Sequence, residues 1–478
     1  MHHLAGWLGY NEATPDLGKL NPMSANPYPL EPIFKRILSP FERFVRRTTA
    51  GGIVLIGTTI VTLALTQSAY GEAFLHFWEQ RFSLNFGSGW SLERSLHGWV
   101  NEGLMALFFL LVGLELKREV LVGELSSLKE AALPIIAAAG GMLFPALIYL
   151  SFNFGTPAAH GWGIPTATDI AFAIGILVFL AWRVPKNLII FLTALAIADD
   201  LGAVLIIALF YTNELNLGAL GAAAITLAVL VLLNRGGIRR PLPYWIIGVG
   251  LWYALLLSGV HSTIAGVLLA FTIPARAACT PAAFNERINA VQRAFSNETQ
   301  NTFTPNDPMR NHYLAGLAQE MEVLAQDVQS PQQRIEHGLH PWVTFLIIPL
   351  FALSNAGIDF SRLDLAASLS SRVTLGVLFG LVFGKFIGIS LFSWVGVRLG
   401  ICRLPAGVAW RHLLGAAWLG GIGFTMSLFI SQLSFNQPAL IEEAKLGILL
   451  ASAISAVIGL AWLYVCGAKR SDKVEGQA

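Results

Sequence analysis

Two adjacent carboxylates interrupt a long apolar run at Ala196-Ile-Ala-Asp199-Asp200-Leu-Gly202. They are the only charged side chains between Asn187 and Thr212. As a helix that rises about 1.5 Å per residue, this run crosses the roughly 30 Å hydrocarbon core of a bilayer, with both carboxylates near its middle. A charge at that depth costs at least ~2.5–3.5 kcal/mol, so the run predicts an ion or proton site inside a transporter. The alternative is a carboxylate pair that neighbouring helices satisfy for structural reasons alone.

The composition also indicates a membrane protein. Of the 478 residues, 55% are hydrophobic and only 13% are charged, whereas soluble domains contain about 25% charged residues. The net charge of +2 argues against nucleic acid as a partner, and membrane lipid is the partner that we expect. The three cysteines, at 279, 402 and 466, form no metal-binding pattern. We expect no cofactor, no disulfide and no N-terminal signal peptide.

About twelve apolar segments are long enough to be membrane-spanning helices. We therefore predict an all-α integral membrane protein. The predicted spans are Gly51–Thr66, Leu96–Leu116, Ala131–Phe152, Ile164–Trp182, Leu188–Tyr211, Leu217–Leu233, Leu242–Leu257, His261–Ile273, Pro341–Gly357, Val373–Val397, Val408–Leu433 and Ala439–Cys466.

The loops between these spans alternate in charge. Lys and Arg follow the second, fourth, sixth, tenth and last spans, while the loops 153–163, 212–216 and 434–443 contain none. Because basic loops stay on the cytoplasmic side, both termini are expected in the cytoplasm and the protein in the cell inner membrane. The chain accordingly divides into a polar tail with a basic amphipathic segment (1–48), spans one to eight (49–275), a cytoplasmic insertion (276–335), spans nine to twelve (336–468) and a short cytoplasmic tail (469–478).

Two segments outside the spans have a predicted structure of their own. Residues 81–92 alternate apolar and polar around Gly87-Ser-Gly89, which is typical of a β-hairpin. An isolated hairpin is marginal in water, so this one predicts a contact with a partner such as another subunit. In the insertion, apolar residues from Tyr313 to Val328 follow helical spacing. A solvated surface helix is preferred there to a docking site.

The fourth span contains features that break an apolar helix. Pro165 and Thr168 stand beside Asp169, a further carboxylate at membrane depth. Proline removes a backbone donor, and threonine hydroxyls can bond nearby carbonyls. We expect an unwound stretch here that exposes carbonyls and a helix N-terminus.

The tenth and eleventh spans carry matching irregularities. Lys385 is a lone lysine in the tenth span, and the eleventh is interrupted around Gly421, Gly423 and Thr425. Spans three to five and ten to twelve thus each contain a break and membrane-depth charge, in two units of about 131–211 and 373–466. Corresponding broken helices in two halves of a chain predict an inverted-repeat transporter with its binding site at the breaks.

The motifs resemble those of the NhaA-type sodium/proton antiporters. The resemblance covers about Gly51–Leu463 apart from the insertion, and its motifs occur in family order. Because this family is itself an example of the inverted-repeat rule, the repeat and the resemblance are not independent observations. The motifs are Gly113-Leu-Glu115-Leu-Lys-Arg-Glu119, Thr168-Asp169-Ile-Ala-Phe, Ala196-Ile-Ala-Asp199-Asp200-Leu-Gly, Ser258-Gly-Val-His261-Ser-Thr-Ile-Ala-Gly, Gly384-Lys385 with Gly388-Ile-Ser, and Gly421-Ile-Gly-Phe-Thr-Met-Ser427.

The resemblance implies a twelve-helix fold in which broken helices four and eleven cross. It implies electrogenic export of cytoplasmic sodium or lithium, with two protons entering per cation, for sodium and pH homeostasis. It also implies regulation by cytoplasmic pH and a homodimer through the hairpin 81–92. Residues that match positions associated with the pH response, or that stand at a helix end as a candidate sensor, are Glu115, Glu119, His261, Glu336, His337 and His340. Ordinary interfacial charges and a satisfied helix-end histidine remain the alternatives for these six.

The residues also predict a mechanism. A small hard cation needs oxygen ligands, which Asp199, Asp200 and Thr168, with Asp169 nearby, can supply. Desolvated, adjacent carboxylates bind protons more readily than exposed ones. Protons and cations then compete for the same oxygens, and that competition couples the two flows. Lys385 either compensates negative helix ends, which is preferred, or pairs with Asp199 and carries a proton.

Two other functional classes remain as alternatives. An intramembrane aspartyl protease also uses membrane aspartates, but it needs them on facing helices and in its own motifs, and here they adjoin. A cation-coupled solute symporter has similar broken helices, but the charge density of the fourth and fifth spans and the absence of an obvious organic-substrate pocket argue against it. We therefore expect a transporter and not an enzyme.

Overall fold

The computed structural model describes residues 50–86, 90–212, 215–300, 309–360 and 364–467. The predicted tails, the basic segment 33–47 and the Gly87–Gly89 turn lie outside them. The described chain is helical apart from one two-stranded antiparallel hairpin, which confirms the predicted fold class. The helical segments are Ala50–Thr66, Gly71–Glu79, Leu96–Gly98, Trp99–Leu104, Met105–Val122, Glu124–Ser126, Leu128–Asn153, Pro157–Thr166, Ile170–Phe179, Lys186–Phe210, Leu217–Arg235, Pro241–Ser258, Ile264–Thr272, Pro281–Thr299, His312–Asp327, Pro331–Trp342, Val343–Ile347, Ile348–Asn355, Leu365–Leu369, Arg372–Phe379, Gly380–Gly384, Lys385–Arg398, Trp410–Leu419, Phe424–Ser434 and Pro438–Cys466.

Within the described residues, eight helices are long and apolar enough to cross a membrane, or up to ten if each bent helix pair counts as one span. The two other predicted spans have weaker signals. Met105–Val122 carries four charged side chains towards its C-terminal end, and Ile264–Thr272 has only 9 residues. The protein is thus a multi-pass membrane protein in which the spans keep the predicted order.

The ninth span begins about ten residues before the predicted Pro341. Its first part, Pro331–Trp342, contains that proline, a π-helical turn follows at Val343–Ile347, and Ile348–Asn355 completes the span. A proline inside a helix has no amide hydrogen to donate, so one backbone hydrogen bond is missing there. The wider π turn that follows adjusts the backbone around the missing bond. Pro341 therefore lies inside the helix, just before the π turn, and the helix begins at Pro331.

The insertion contains the predicted helix, His312–Asp327, and a second one that the sequence analysis did not assign, Pro281–Thr299. Thr280 caps the second helix by accepting a hydrogen bond from the Ala283 amide at 3.3 Å. The two helices pack around a small core of Val291, Leu317 and Leu324, with Phe284, Ile288, Ala294, Phe295 and Met321 partly buried against it. The helix Pro281–Thr299 is polar over most of its surface, and this obscured the regular spacing of its apolar residues in the sequence.

The described chain forms two compact units. The first comprises the described parts of 1–105, 116–212 and 343–478, and the second comprises 106–115 and 213–342. In the first, the third and tenth spans approach so closely at Gly140 and Gly388 that a side chain at either glycine would run into the opposite backbone. In the second, the Gln332 amide donates to the Leu114 carbonyl at 2.8 Å. Each unit therefore has close interhelical packing of its own.

The hairpin pairs Arg81–Phe86 with Trp90–Ser95 in antiparallel register, with Ser83 opposite Glu93. The Trp99 indole donates to the Phe82 carbonyl at 3.2 Å, which ties the first strand to the start of the second span. The Phe82 side chain is about half exposed. Within the described residues, the strands thus leave apolar surface exposed and pair with no third strand.

Candidate cation and proton site

The fourth span is broken beside Asp169. Pro157–Thr166 is a 3-10 helix, the backbone is extended at Ala167 and Asp169, and an α-helix begins at Ile170. Pro165 has no amide hydrogen to donate, so it favours the end of a helical segment over its continuation. The predicted interruption is where the sequence placed it.

The eleventh span is broken at Gly420–Gly423, between Trp410–Leu419 and Phe424–Ser434, and bends by 46° there. A Cβ atom on Gly421 would lie 2.5 Å from Ser455 Oγ and 2.7 Å from the Leu381 carbonyl oxygen. Glycine is therefore required for the close approach of neighbouring backbone and not only for the bend.

The two breaks contact each other. The Asp169 amide donates to the Ile422 carbonyl at 2.7 Å. The Thr168 hydroxyl lies 2.9 Å from the Gly420 carbonyl. Unwound backbone in one span thus satisfies unwound backbone in the other, which is how irregular structure is tolerated at membrane depth.

Asp169 lies at the N-termini of both continuing helices. One carboxylate oxygen accepts from the Phe172 amide at 2.9 Å. The other accepts from the Thr425 amide at 3.0 Å and from its hydroxyl at 2.5 Å. A carboxylate between two helix N-termini compensates two positive dipole ends. Asp169 is 1% exposed and its oxygens are already used, so it holds the crossing together.

Asp199 faces the break from the middle of the fifth span, Lys186–Phe210. Its Oδ2 accepts from Thr168 Oγ1 at 2.6 Å and forms an ion pair with Lys385 Nζ. Among the described residues its Oδ1 has no hydrogen-bond partner. The Thr168 hydroxyl has one proton, so it donates either to Asp199 or to Gly420. The Asp199 carboxylate therefore contacts the Lys385 ammonium and the Thr168 hydroxyl through one oxygen. Its other oxygen can serve as a ligand.

Asp200 is the next residue on the same helix and is 1% exposed. Its carboxylate acts electrostatically on the Lys385 ammonium. The site thus contains two adjacent carboxylates around one lysine, all buried. Any change in the protonation of one group changes the charge that the other two experience.

Lys385 begins the second half of the tenth span, Lys385–Arg398, after a π-helical turn at Gly380–Gly384. It is fully buried, and its ammonium bonds Asp199. This ion pair is the contact that the proton-carrier alternative requires, and the preferred role opposite the negative helix ends stays a prediction.

The six candidate pH-response residues fall in both compact units. Glu119 belongs to the first unit, and Glu115, His261, Glu336, His337 and His340 belong to the second. Glu119 and Glu336 are 4% and 2% exposed, whereas His337 is exposed. The structure does not bring the six together as one cluster within a unit.

Glu124, an acidic residue that was not among the predicted site residues, lies beside Glu119. The Glu119 carboxylate accepts from the Glu124 amide at 3.2 Å. Burial, together with the nearby Glu130 and Glu119 carboxylates, raises the pKa of the Glu124 carboxyl above its ordinary value. The signal was the recurrence of glutamates at 119, 124 and 130 between two apolar spans.

A second buried lysine was also missed. Lys445 in the last span is 7% exposed. Its ammonium bonds the Glu442 carboxylate at 2.9 Å and the Gly357 carbonyl at 3.1 Å. Its position three residues after Glu442 is the sequence signal for such an ion pair.

The chain was compared with known proteins. It matches the family described as "Na+/H+ antiporter 1" over residues 42–463. It is 63% identical to the Na(+)/H(+) antiporter NhaA of Syntrophobacter fumaroxidans over 94% of this chain and 95% of that protein. It is 60% identical to the protein of that name from Acidithiobacillus ferrooxidans, over 91% and 99% of the two chains.

A third relative, Na(+)/H(+) antiporter NhaA 1 of Saccharophagus degradans, is 48% identical over 95% of this chain and 97% of its own. The predicted resemblance is therefore confirmed over nearly the whole length. The crossing of two broken helices beside a buried aspartate pair and a lysine provides oxygen ligands and exchangeable protons at one place. The chain belongs to the NhaA-type Na+/H+ antiporter family and exchanges Na+ for H+ across a membrane.

Proposed function

We propose that the protein exports cytoplasmic Na+ or Li+ in exchange for external H+, electrogenically, from a site formed by Asp199 and Asp200. It resides in the cell inner membrane with both termini in the cytoplasm, and it serves sodium and pH homeostasis. The buried ion pair between Lys385 and Asp199, with Thr168 on the same oxygen, is the observation that carries this proposal.

The exchange balances in charge and protons. In the proton-loaded state Lys385 is charged, Asp199 is ionised and Asp200 is protonated, so the three groups sum to zero. Na+ binds when Asp200 and Lys385 each lose a proton, and the three groups with the cation then sum to one negative charge. Two protons therefore exchange for one Na+, and each cycle moves net charge across the membrane.

The oxygens of the site suit a small hard cation. Na+ takes carboxylate, hydroxyl and carbonyl oxygens as ligands. Asp199 Oδ1 has no hydrogen-bond partner among the described residues, and Thr168 Oγ1 can turn its proton to the Gly420 carbonyl while its lone pairs face the site. Asp169 holds the two breaks together beside this hydroxyl, and we keep it as a candidate member of the cation and proton site.

Regulation by cytoplasmic pH belongs to the same proposal. The groups that we assign to it are Glu115, Glu119, His261, Glu336, His337 and His340, with Glu124 added because its pKa is raised. A raised pKa means that Glu124 takes up a proton at a higher pH than an ordinary glutamate as the cytoplasm acidifies. Protonation there removes negative charge beside Glu119.

We also assign a homodimer to the hairpin 81–92. A two-stranded sheet has unpaired backbone groups along its edges, which another chain can extend. The half-exposed Phe82 adds apolar surface beside one edge. A second copy of the same strand is the simplest complement for such an edge.

Everted membrane vesicles test the transport proposal directly. In vesicles whose lumen has been acidified by respiration, addition of Na+ or Li+ should release protons and restore the fluorescence of a ΔpH-sensitive dye. An imposed membrane potential should change the rate. Addition of K+ at the same ionic strength is the control, and a dye signal that answers K+ and Na+ equally would overturn the proposal.

A further inference from the structure

The 3-10 half of the fourth span, Pro157–Thr166, is the irregular backbone that leads to Thr168. A 3-10 helix of this length is uncommon, because its hydrogen bonds have poorer geometry than those of an α-helix. At membrane depth each unsatisfied backbone group costs several kcal/mol. Hydrogen bonds from outside the segment therefore add to its stability.

Two buried tyrosines, one before the segment in sequence and one after it, form hydrogen bonds with its backbone. Tyr149 of the third span donates its hydroxyl to the Ala158 carbonyl at 2.8 Å. Tyr211, just after the fifth span, donates to the His160 carbonyl at 2.8 Å and accepts from the Gly163 amide at 3.1 Å. The tyrosines are 0% and 3% exposed. They satisfy three backbone groups of the segment.

A third hydroxyl comes from the eleventh span. Ser427 donates to the Ile164 carbonyl at 2.8 Å and is fully buried. This carbonyl immediately precedes Pro165, at the end of the segment. Three hydroxyls from other parts of the chain thus form hydrogen bonds with the segment. We call the residues that carry them, Tyr149, Tyr211 and Ser427, the hydroxyl clamp.

Glycines allow the tyrosines to reach the backbone. A Cβ atom on Gly161 would lie 2.6 Å from the Tyr149 hydroxyl, and one on Gly163 would lie 2.7 Å from the Tyr211 hydroxyl. Neither glycine has the positive φ that would by itself require glycine. The hydroxyls, together with the Phe435 ring that approaches Gly161 still more closely, leave room only for glycine at these two positions.

We infer that the hydroxyl clamp is a positioning device for the cation site, which sets where Thr168 stands relative to Asp199. The inference rests on the proposed site. The clamp ends four residues before Thr168, and only Pro165, Thr166 and Ala167 separate the clamped Ile164 carbonyl from that hydroxyl. A ligand that is not held in place must be ordered when the cation binds, and that cost appears in the apparent affinity.

Tyrosine-to-phenylalanine variants remove the hydroxyls and nothing else. Tyr211→Phe removes two hydrogen bonds to the backbone of the segment, and Tyr149→Phe removes one. Tyr244→Phe is the matched control, because Tyr244 is 1% exposed and its hydroxyl donates to the Ile238 carbonyl at 2.9 Å, within the second unit. All three variants lose one buried phenol hydroxyl.

The apparent KM for Na+ in everted vesicles is the decisive measurement, with the melting temperature of the purified protein beside it. We expect the KM to rise about tenfold in Tyr211→Phe and about threefold in Tyr149→Phe. In Tyr244→Phe the melting temperature should fall while the KM stays at the wild-type value. A merely structural role would lower the melting temperature of all three variants and move none of the KM values.

Two further variants keep the result decisive. Asp200→Asn, measured in parallel, tests the site itself, since retained exchange there contradicts the proposed site and not the clamp. If Tyr211→Phe cannot be purified, Tyr149→Phe and Ser427→Ala carry the test. An inactive Asp200→Asn with wild-type KM values in both of these variants would refute the clamp.

Discussion

Two ion pairs in the first unit each join a basic side chain to a carboxylate, but in opposite surroundings. Lys385 and Asp199 meet with side chains that are 0% and 3% exposed. Arg81 and Glu93 meet at 3.2 Å across the hairpin, with side chains that are 77% and 50% exposed. The first pair lies where two broken helices cross, and the second faces solvent on a two-stranded sheet.

The difference shows what burial adds to an ion pair. An exposed pair contributes about 0–1 kcal/mol, because water screens the attraction and both side chains lose freedom. Removal of one partner from a buried pair costs about 3–5 kcal/mol, because the other charge is left without compensation. A buried pair that also faces a second carboxylate can respond to a cation, whereas an exposed pair cannot.

The largest effect is expected from the aspartates. Asp200→Asn removes a cation ligand and a proton acceptor, and Asp199→Asn also removes the partner of Lys385. Exchange in everted vesicles should fall to background in Asp200→Asn, and Asp199→Asn should also lose transport while keeping some residual cation binding.

Asp327→Asn is the control, because Asp327 ends a helix of the insertion and the change in chemistry is the same. It should transport Na+ at the wild-type rate. Wild-type exchange by both site variants would mean that the buried pair is structural, like the exposed one.

A smaller and more specific effect is expected from Lys385→Arg. A guanidinium keeps the charge of the pair but does not give up its proton. The variant should still exchange Na+, but for one proton in place of two, so exchange becomes electroneutral. The measurement is the charge moved per Na+ in proteoliposomes on a capacitive electrode.

Lys445→Arg is a control of the same chemistry, since Lys445 is also buried and paired with a carboxylate. It should leave the charge per Na+ unchanged. If Lys385→Arg remains electrogenic with only a changed affinity, the lysine compensates helix ends, as the sequence analysis preferred.

The sequence identified the members of the site because each is an anomaly in an apolar run. Asp169, Asp199, Asp200 and Lys385 need no structure to be noticed, because charge at membrane depth is costly. Their pairing could not be derived, since Lys385 and Asp199 are 186 residues apart and several carboxylates compete for one lysine. Partner choice depends on how the spans pack, and periodicity alone does not determine it.

The hydroxyl clamp was missed for a different reason. Tyrosine and serine are common in membrane spans, and serine usually bonds its own helix, so neither is an anomaly. The glycines at 161 and 163 were visible, but their partners are 12 and 48 residues away in sequence. The helix Pro281–Thr299, by contrast, was derivable, because Phe284, Ile288 and Phe295 follow helical spacing.

The smallest effect on transport is expected from the hairpin, where the exposed pair lies. Deletion of Phe82–Leu92 removes most of both strands and so abolishes the strand pairing that brings Arg81 and Glu93 together, but it removes no group of the cation site. The dimer should dissociate at a protein concentration at which the wild type remains dimeric, while the apparent KM for Na+ stays unchanged. The mass in mild detergent, measured by light scattering across a dilution series, reports the first quantity.

Arg81→Gln separates the exposed pair from the strands that carry it. Screening by water makes the pair worth at most about 1 kcal/mol, so its loss should leave both the dimer and the melting temperature close to those of the wild type. The backbone edge, which the substitution preserves, is then the part that binds a second copy. A dimer that survives the deletion would move the interface to another surface. A dimer lost in Arg81→Gln alone would show that this exposed charge is desolvated at the interface, and that burial there arises only on assembly.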